Sequence, residues 1–192
     1  MKYIFSFCLA LAFSVVSFAN DSLSVVYRIR LDQNIDKAAE RLVVKGLQNA
    51  HESNADYVLL DLDTYGGAVD AADSIRTAIL RYEKPVIAYI NMQAASAGAL
   101  ISIACDSIYM RTGSSIGAAT VVDQTGGVMP DKYQSFMRGM MRATAQATGR
   151  DPKIAESMGQ VHGRLPDGRN FAGHKQHHER LRPSHWQSVW VC

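Results

Sequence analysis

The sequence predicts an α/β fold of stacked β-α units with parallel strands. Three observations predict it. Apolar runs rich in β-branched and aromatic residues recur at 25–31, 57–62, 85–91 and 106–110. Segments with helical apolar spacing separate them. Two of the runs end in Gly or Ala clusters about 30 residues apart, the spacing of successive β-α units. Alternating strands and helices bury both faces of a parallel sheet through right-handed crossovers.

Val25-Val26-Tyr27-Arg28-Ile29-Arg30-Leu31 alternates and reads as the first strand. Asp36 is placed to cap a helix over 37–49, with Ala39, Leu42, Val43, Gly46 and Leu47 on one face. The second strand covers 57–62, and a helix over 69–82 turns Ala72, Ile75 and Ile79 inward. The third strand covers 85–91. Ala97–Ala104 reads as an apolar helix and 106–110 as a short fourth strand, with 114–117 as a loop. Pro130 opens a helix reaching 146, with Tyr133, Phe136, Met137, Met140, Met141 and Ala145 as its apolar stripe. Such a methionine-rich stripe suits adaptable core or an oligomer surface.

The chemistry concentrates at two strand ends. Gln93-Ala94-Ala95-Ser96-Ala97-Gly98-Ala99 follows a buried-strand run, so Ser96 is ringed by small residues that admit another backbone. A tight strand-to-helix packing site would select the same small residues. Asp61-Leu62-Asp63-Thr64-Tyr65-Gly66-Gly67 ends the preceding strand, and a Gly-Gly pair there can turn a backbone N–H outward toward a developing oxyanion. An ordinary turn also uses Gly-Gly. The recurrence of strand-then-small-residue units favours a site. The helix starting after Ser96 points its positive end at the serine.

Asp63-Thr64-Tyr65-Gly66-Gly67, Gln93-Ala94-Ala95-Ser96-Ala97-Gly98-Ala99 and Ser115-Ile116-Gly117-Ala118-Ala119, in this order, resemble the ClpP/crotonase superfamily. Within it they are most similar to the protease domain of the NfeD family, membrane-associated Ser–Lys proteases linked to stomatin-like proteins. The resemblance covers roughly residues 24–158. Tyr65 stands where the family usually has Pro. The resemblance implies a ClpP/crotonase-like fold, here incomplete at the C-terminus, with Ser96 as nucleophile. It implies an oxyanion hole from the amides of Gly67 and Ala97, and peptide binding at Gly66, Ile116 and Gly117. No His occurs between His51 and His162, which argues against a Ser-His-Asp triad. The NfeD pattern places the base at Lys132, in Pro130-Asp131-Lys132-Tyr133-Gln134. A lysine serves as base when burial and the lack of a carboxylate partner populate its neutral amine. A solvated lysine in a first helical turn would carry the same sequence.

The chain of 192 residues divides by this reading into three parts. Residues 1–19 read as a secretory signal peptide: Lys2, an apolar stretch over 3–16, and Ser17-Phe18-Ala19 before the cleavage point. That implies export to a periplasmic or other extracytoplasmic site, with membrane association. Residues 20–159 form the protease domain. Residues 160–192 hold five of the six His, both Trp and four Arg without periodicity, and read as an altered or out-of-frame polar tail, expected to be disordered. His174, His177, His178 and His185 have short spacings, but no Cys or carboxylate cluster completes a metal site, and no cofactor is implied. Cys105, in an apolar run, reads as a buried small hydrophobe. A net charge of +2 without a basic stripe excludes nucleic acid as the expected partner.

The function these readings imply is an exported serine endopeptidase with a Ser96–Lys132 dyad. It would cut apolar segments of membrane-associated proteins such as a stomatin-like partner, with homo-oligomer formation. Two alternatives stand beside it. One is a catalytically inactive ClpP-like binding module. The other is a crotonase-type acyl-CoA enzyme, against which export and the lack of acidic residues near Ala97 argue.

Overall fold

A computed structural model describes residues 23–123 and 125–159. The signal-peptide expectation and the whole of the polar tail lie outside the described residues.

Strands β1 (Val26–Leu31), β2 (Tyr57–Thr64), β3 (Val86–Ala95) and β4 (Ser107–Met110) lie in that order in one sheet, and β5 (Ser115–Gly117) pairs with β3. Every pairing is parallel. Parallel neighbours require crossover segments. Helices α1 (Lys37–Glu52), α2 (Val69–Leu80) and α3 (Ala97–Ala104) supply them, and α4 (Asp131–Ala147) and α5 (Pro152–Met158) follow. The α/β class and the parallel pairing follow the sequence reading, and Met137, Met140 and Met141 join the core with Leu31, Leu60, Leu62 and Leu100.

Asp36 caps α1 as its side chain predicts, accepting from the amides of Ala38 at 2.8 Å and Ala39 at 2.9 Å. The buried stripe of α1 is Ala39, Val43, Gly46, Leu47 and Ala50, whereas Leu42 is exposed. A helix covered on one side buries only a narrow stripe, and Leu42 falls at its margin. The same correction applies to α4. Tyr133 and Phe136 are exposed, and the buried stripe runs Gln134, Met137, Met140, Met141, Thr144, Ala145. Two polar residues occupy core positions there because their hydrogen bonds are made internally. Thr144 Oγ1 donates to the Met140 carbonyl at 2.7 Å, and Gln134 bonds the preceding loop. Cys105 is fully buried, as expected.

Two further differences bear on the site. β3 runs on to Ala95, past the expected end at 91. Its register against β2 shifts between Leu62↔Ile90 and Thr64↔Ala94, so one β2 residue, Asp63, faces three of β3, Asn91, Met92 and Gln93. Such a bulge re-aims the strand beyond it. It also coincides with a change of neighbour, because β4 pairs with 87–90 and β5 with 93–95. The stretch expected as a loop at 114–117 is therefore strand from Ser115 to Gly117. Three residues are too few to show a period, and only the pairing with β3 makes them a strand.

Helix α3 is buried on every side. It sits against β3, α2 and α4. A short helix apolar all round finds its place in such a central layer. Its carboxyl end is capped from the chain after α4. Thr148 Oγ1 donates to the Ile103 carbonyl at 3.0 Å, and Arg150 donates to the carbonyls of Ile103 and Asp106 at 3.2 and 3.3 Å. A cation there complements the helix dipole. α5 shows the start signal of an Asp N-cap followed by Pro: Asp151 accepts from the Lys153 amide at 2.8 Å.

Candidate active site

Ser96 occupies the single residue between β3 and α3. Its backbone holds φ 51° and ψ −113°. That region is sparsely populated by residues with a side chain, and such strain persists only where the surroundings impose it. The surroundings here are short-range. The Ser96 amide donates to the Gly117 carbonyl at 3.0 Å, and the Ser96 carbonyl accepts from Ala99 at 3.0 Å and Leu100 at 3.3 Å. The hydroxyl makes no hydrogen bond among the described residues and the side chain is half-buried. The sharp strand-to-helix turn thus places an unbonded hydroxyl at the head of a buried helix.

Gly66 lies directly against it. A Cβ on Gly66, at φ 111°, would stand 2.7 Å from the Ser96 Cβ and 3.2 Å from the Ala97 amide nitrogen. Gly67, at φ 153°, is pressed onto Ile35, whose carbonyl oxygen would be 2.2 Å from a Cβ there. Only glycines fit both contacts. The chain at Ile35 pins this turn: the Ile35 amide donates to the Gly66 carbonyl at 2.8 Å, and the Ala68 amide to the Ile35 carbonyl at 2.7 Å. In this parallel bridge the Gly67 amide faces away from Ile35 and has no acceptor among the described residues. The Ala97 amide opens α3 and has no intrahelical acceptor.

Sequence reasoning missed Thr64. Its Oγ1 accepts from the Gly66 amide at 3.1 Å and donates to the Gln33 carbonyl at 2.7 Å. It therefore engages one glycine amide and leaves the next free. A hydroxyl residue two positions before a glycine was the available signal, because Ser and Thr close such turns.

Ile116 and Gly117 stand on β5. With the Gly117 carbonyl bonded to Ser96, the alternation of the parallel ladder points the backbone groups of Ile116 to the opposite edge, where no described strand pairs. Lys132 lies in the first turn of α4 and is exposed. Its Nζ rests over the Tyr133 ring, 4.9 Å from the centroid. No carboxylate among the described residues pairs with it. The structure therefore meets one of the two conditions for a lysine base, the missing carboxylate, and leaves Lys132 uncovered and without a hydrogen bond to Ser96. Behind the site, burial pushes the Cys105 thiol up to about 12. Desolvation lowers the neighbouring Arg150 guanidinium from its ordinary value. Among the described residues no three His, Cys, Asp or Glu side chains gather to hold a metal ion.

Residues 25–175 match the family model of the NfeD1b N-terminal domain. The chain belongs to the NfeD family. The match runs past residue 159, where sequence reading ended the domain. The domain is 38% identical over 133 residues to membrane protein NfeD1b of Bacillus subtilis, covering 69% of this chain and 30% of that protein. It is 35% identical over 115 residues to membrane-bound protease PH1510 of Pyrococcus horikoshii, covering 56% of this chain and 26% of that one. The chain thus spans less than a third of the curated relatives it matches. Among solved structures, two variants of the 1510-N membrane-bound stomatin-specific protease align at 29% identity. A serine-to-alanine variant gives a TM-score of 0.66, over 70% of this chain and 69% of that one. A lysine-to-alanine variant in complex with a substrate peptide gives 0.67, over 71% and 66%. ClpP1 of Listeria monocytogenes shares the fold, with a TM-score of 0.56 at 22% identity over 69% of this chain and 78% of that one. This NfeD domain is therefore ClpP-like and homologous to membrane-bound proteases, as the motifs implied. No helix among its described residues is long and apolar enough to cross a membrane.

Proposed function

We propose that this NfeD domain is a serine endopeptidase. The observation that carries the reading is Ser96 itself: a strained residue with a free hydroxyl, whose Cβ lies against Gly66 and whose next amide, that of Ala97, has no intrahelical acceptor. In the proposed reaction, Ser96 Oγ attacks the scissile carbonyl and its proton passes to the neutral amine of Lys132. The tetrahedral oxyanion is held by the Gly67 and Ala97 amides at the positive end of α3. The C–N bond then breaks, Lys132 returns the proton to the leaving amine, and water hydrolyses the acyl-serine. The relatives support the pair of residue types, since the stomatin-specific protease was solved with a serine and with a lysine replaced.

The substrate proposed is an extended apolar segment of a membrane-associated protein, such as a stomatin-like partner. It would add along Gly66, Ile116 and Gly117, main chain to main chain. We further propose that the chain is exported, acts at the membrane and works as a homo-oligomer. The test is Ser96→Ala. Cleavage of an apolar peptide should fall to background while the melting temperature holds; retained cleavage removes Ser96 from the mechanism.

A further inference from the structure

The proposed base and the proposed substrate strand belong to different elements, joined by the loop from Ala118 to Pro130. What fixes that loop is a side chain the mechanism does not use. Gln134 is 1% exposed, on the inner face of α4 one half-turn beyond Lys132. Its Oε1 accepts from the Val121 amide at 3.0 Å. Its Nε2 donates to the Val121 carbonyl at 2.7 Å and to the Met129 carbonyl at 3.1 Å. The acceptor and both donors of the amide are thus engaged, and they hold both legs of the loop. The legs are joined to each other as well, because the Met129 amide donates to the Val121 carbonyl at 3.0 Å.

Among the described residues no other side chain of α4 hydrogen-bonds this loop. Pro130 caps the helix with no side-chain hydrogen bond. Asp123 satisfies only its own turn, accepting from Thr125 and Gly127. On the β5 side the chain is held independently, by the Gly117 carbonyl on Ser96 and by the Ala119 amide on the Met158 carbonyl at 2.7 Å. Substrate strand and nucleophile therefore form one unit without Gln134. The body of α4 reaches that unit through its packing on α3 and α5, whereas the first turn of α4, with Lys132, is tied by a side chain to the loop leaving the unit through Gln134.

We propose that Gln134 is the positioning residue for Lys132, setting the distance of the amine from Ser96 through the Val121 and Met129 backbone. The inference rests on the Ser96–Lys132 reading of the site. Gln134→Met keeps length and burial and removes all three hydrogen bonds. Measured on the full chain well below its melting temperature, it should lower kcat about 10²-fold, the order that misplacing a catalytic group by 1 Å costs. KM should change little, because the β5 anchors remain. Added to Lys132→Ala, it should lower the rate no further, since residues acting as a unit are non-additive. A general loosening of the fold would instead lower the rate in both backgrounds. Should Gln134→Met fail to fold, Gln134→Glu goes through the same cycle, keeping the acceptor for the Val121 amide and losing the donors. Wild-type kcat in the variant, beside inactive Ser96→Ala and Lys132→Ala proteins, overturns the positioning role alone. Absence of Ser96-dependent cleavage by the wild type overturns the reading of the site and this role with it.

Discussion

At the scale of single residues, the tension is between Ser96 and its backbone. A residue held in a sparsely populated region costs about 1–3 kcal/mol. Glycine accepts φ 51° without that cost but loses about 0.5–1 kcal/mol in chain entropy. Ser96→Gly should therefore stabilise the domain while abolishing cleavage. The expected rise in melting temperature is about 2–4 °C, as a change near 1 kcal/mol gives for a chain of this size. A thermal melt beside a peptide assay reads both; a lower melting temperature would show that the turn is not strained against the serine. Lys132 sets the second expectation. Lys132→Ala should lower kcat/KM by about 10²–10⁴-fold, the usual worth of a general base. Unchanged rates in Lys132→Ala would remove it as the base.

At the scale of elements, α3 unites chemistry and core. It carries Ser96 at its head and is followed at once by Cys105, a thiol that burial pushes up from 9.0 to about 12. Below pH 9 the thiol is protonated in the folded and unfolded chain alike, and its full contribution to stability is present. Above that value the unfolded chain releases the proton and the folded chain keeps it. Stability from this group should thus drain away as pH rises from 9 towards about 12. Denaturant unfolding of Cys105→Ala beside the wild type checks it. The wild type should lose more stability across this window, whatever their difference at neutral pH, and equal slopes would refute the linkage. The same burial leaves the folded thiol inert to alkylation.

At the scale of the whole molecule, the described core draws on every layer from β1 to α5. α5 packs on α4 and gives its Met158 carbonyl to Ala119, two residues beyond β5. On this ground a chain ending at Gly159 should keep its fold and whatever activity it has, with a melting temperature within a few degrees. The family match to residue 175 supplies the contrary outcome. A large fall in melting temperature at 159, restored by extending the chain to 175, would make residues 160–175 part of the domain. Circular dichroism melts of the three lengths decide between them.

Apolar spacing alone marked four of the strands and four of the helices, because burial on a parallel sheet writes a long-lived period into the chain. Small residues at strand ends marked the site, because close backbone approach admits nothing larger. Here the order of three short motifs also carried the family. Tertiary structure alone decided the rest. β5 exists only because β3, turned by its bulge, offers an edge at 93–95. Gln134 and Thr144 fill core positions that polarity disguised, while Tyr133 and Phe136 stand in solvent where apolarity suggested core. The strain at Ser96 is likewise absent from any local preference. It arises from β5 and the Gly66 turn meeting at one residue, contacts between segments far apart in sequence that no window along the chain contains.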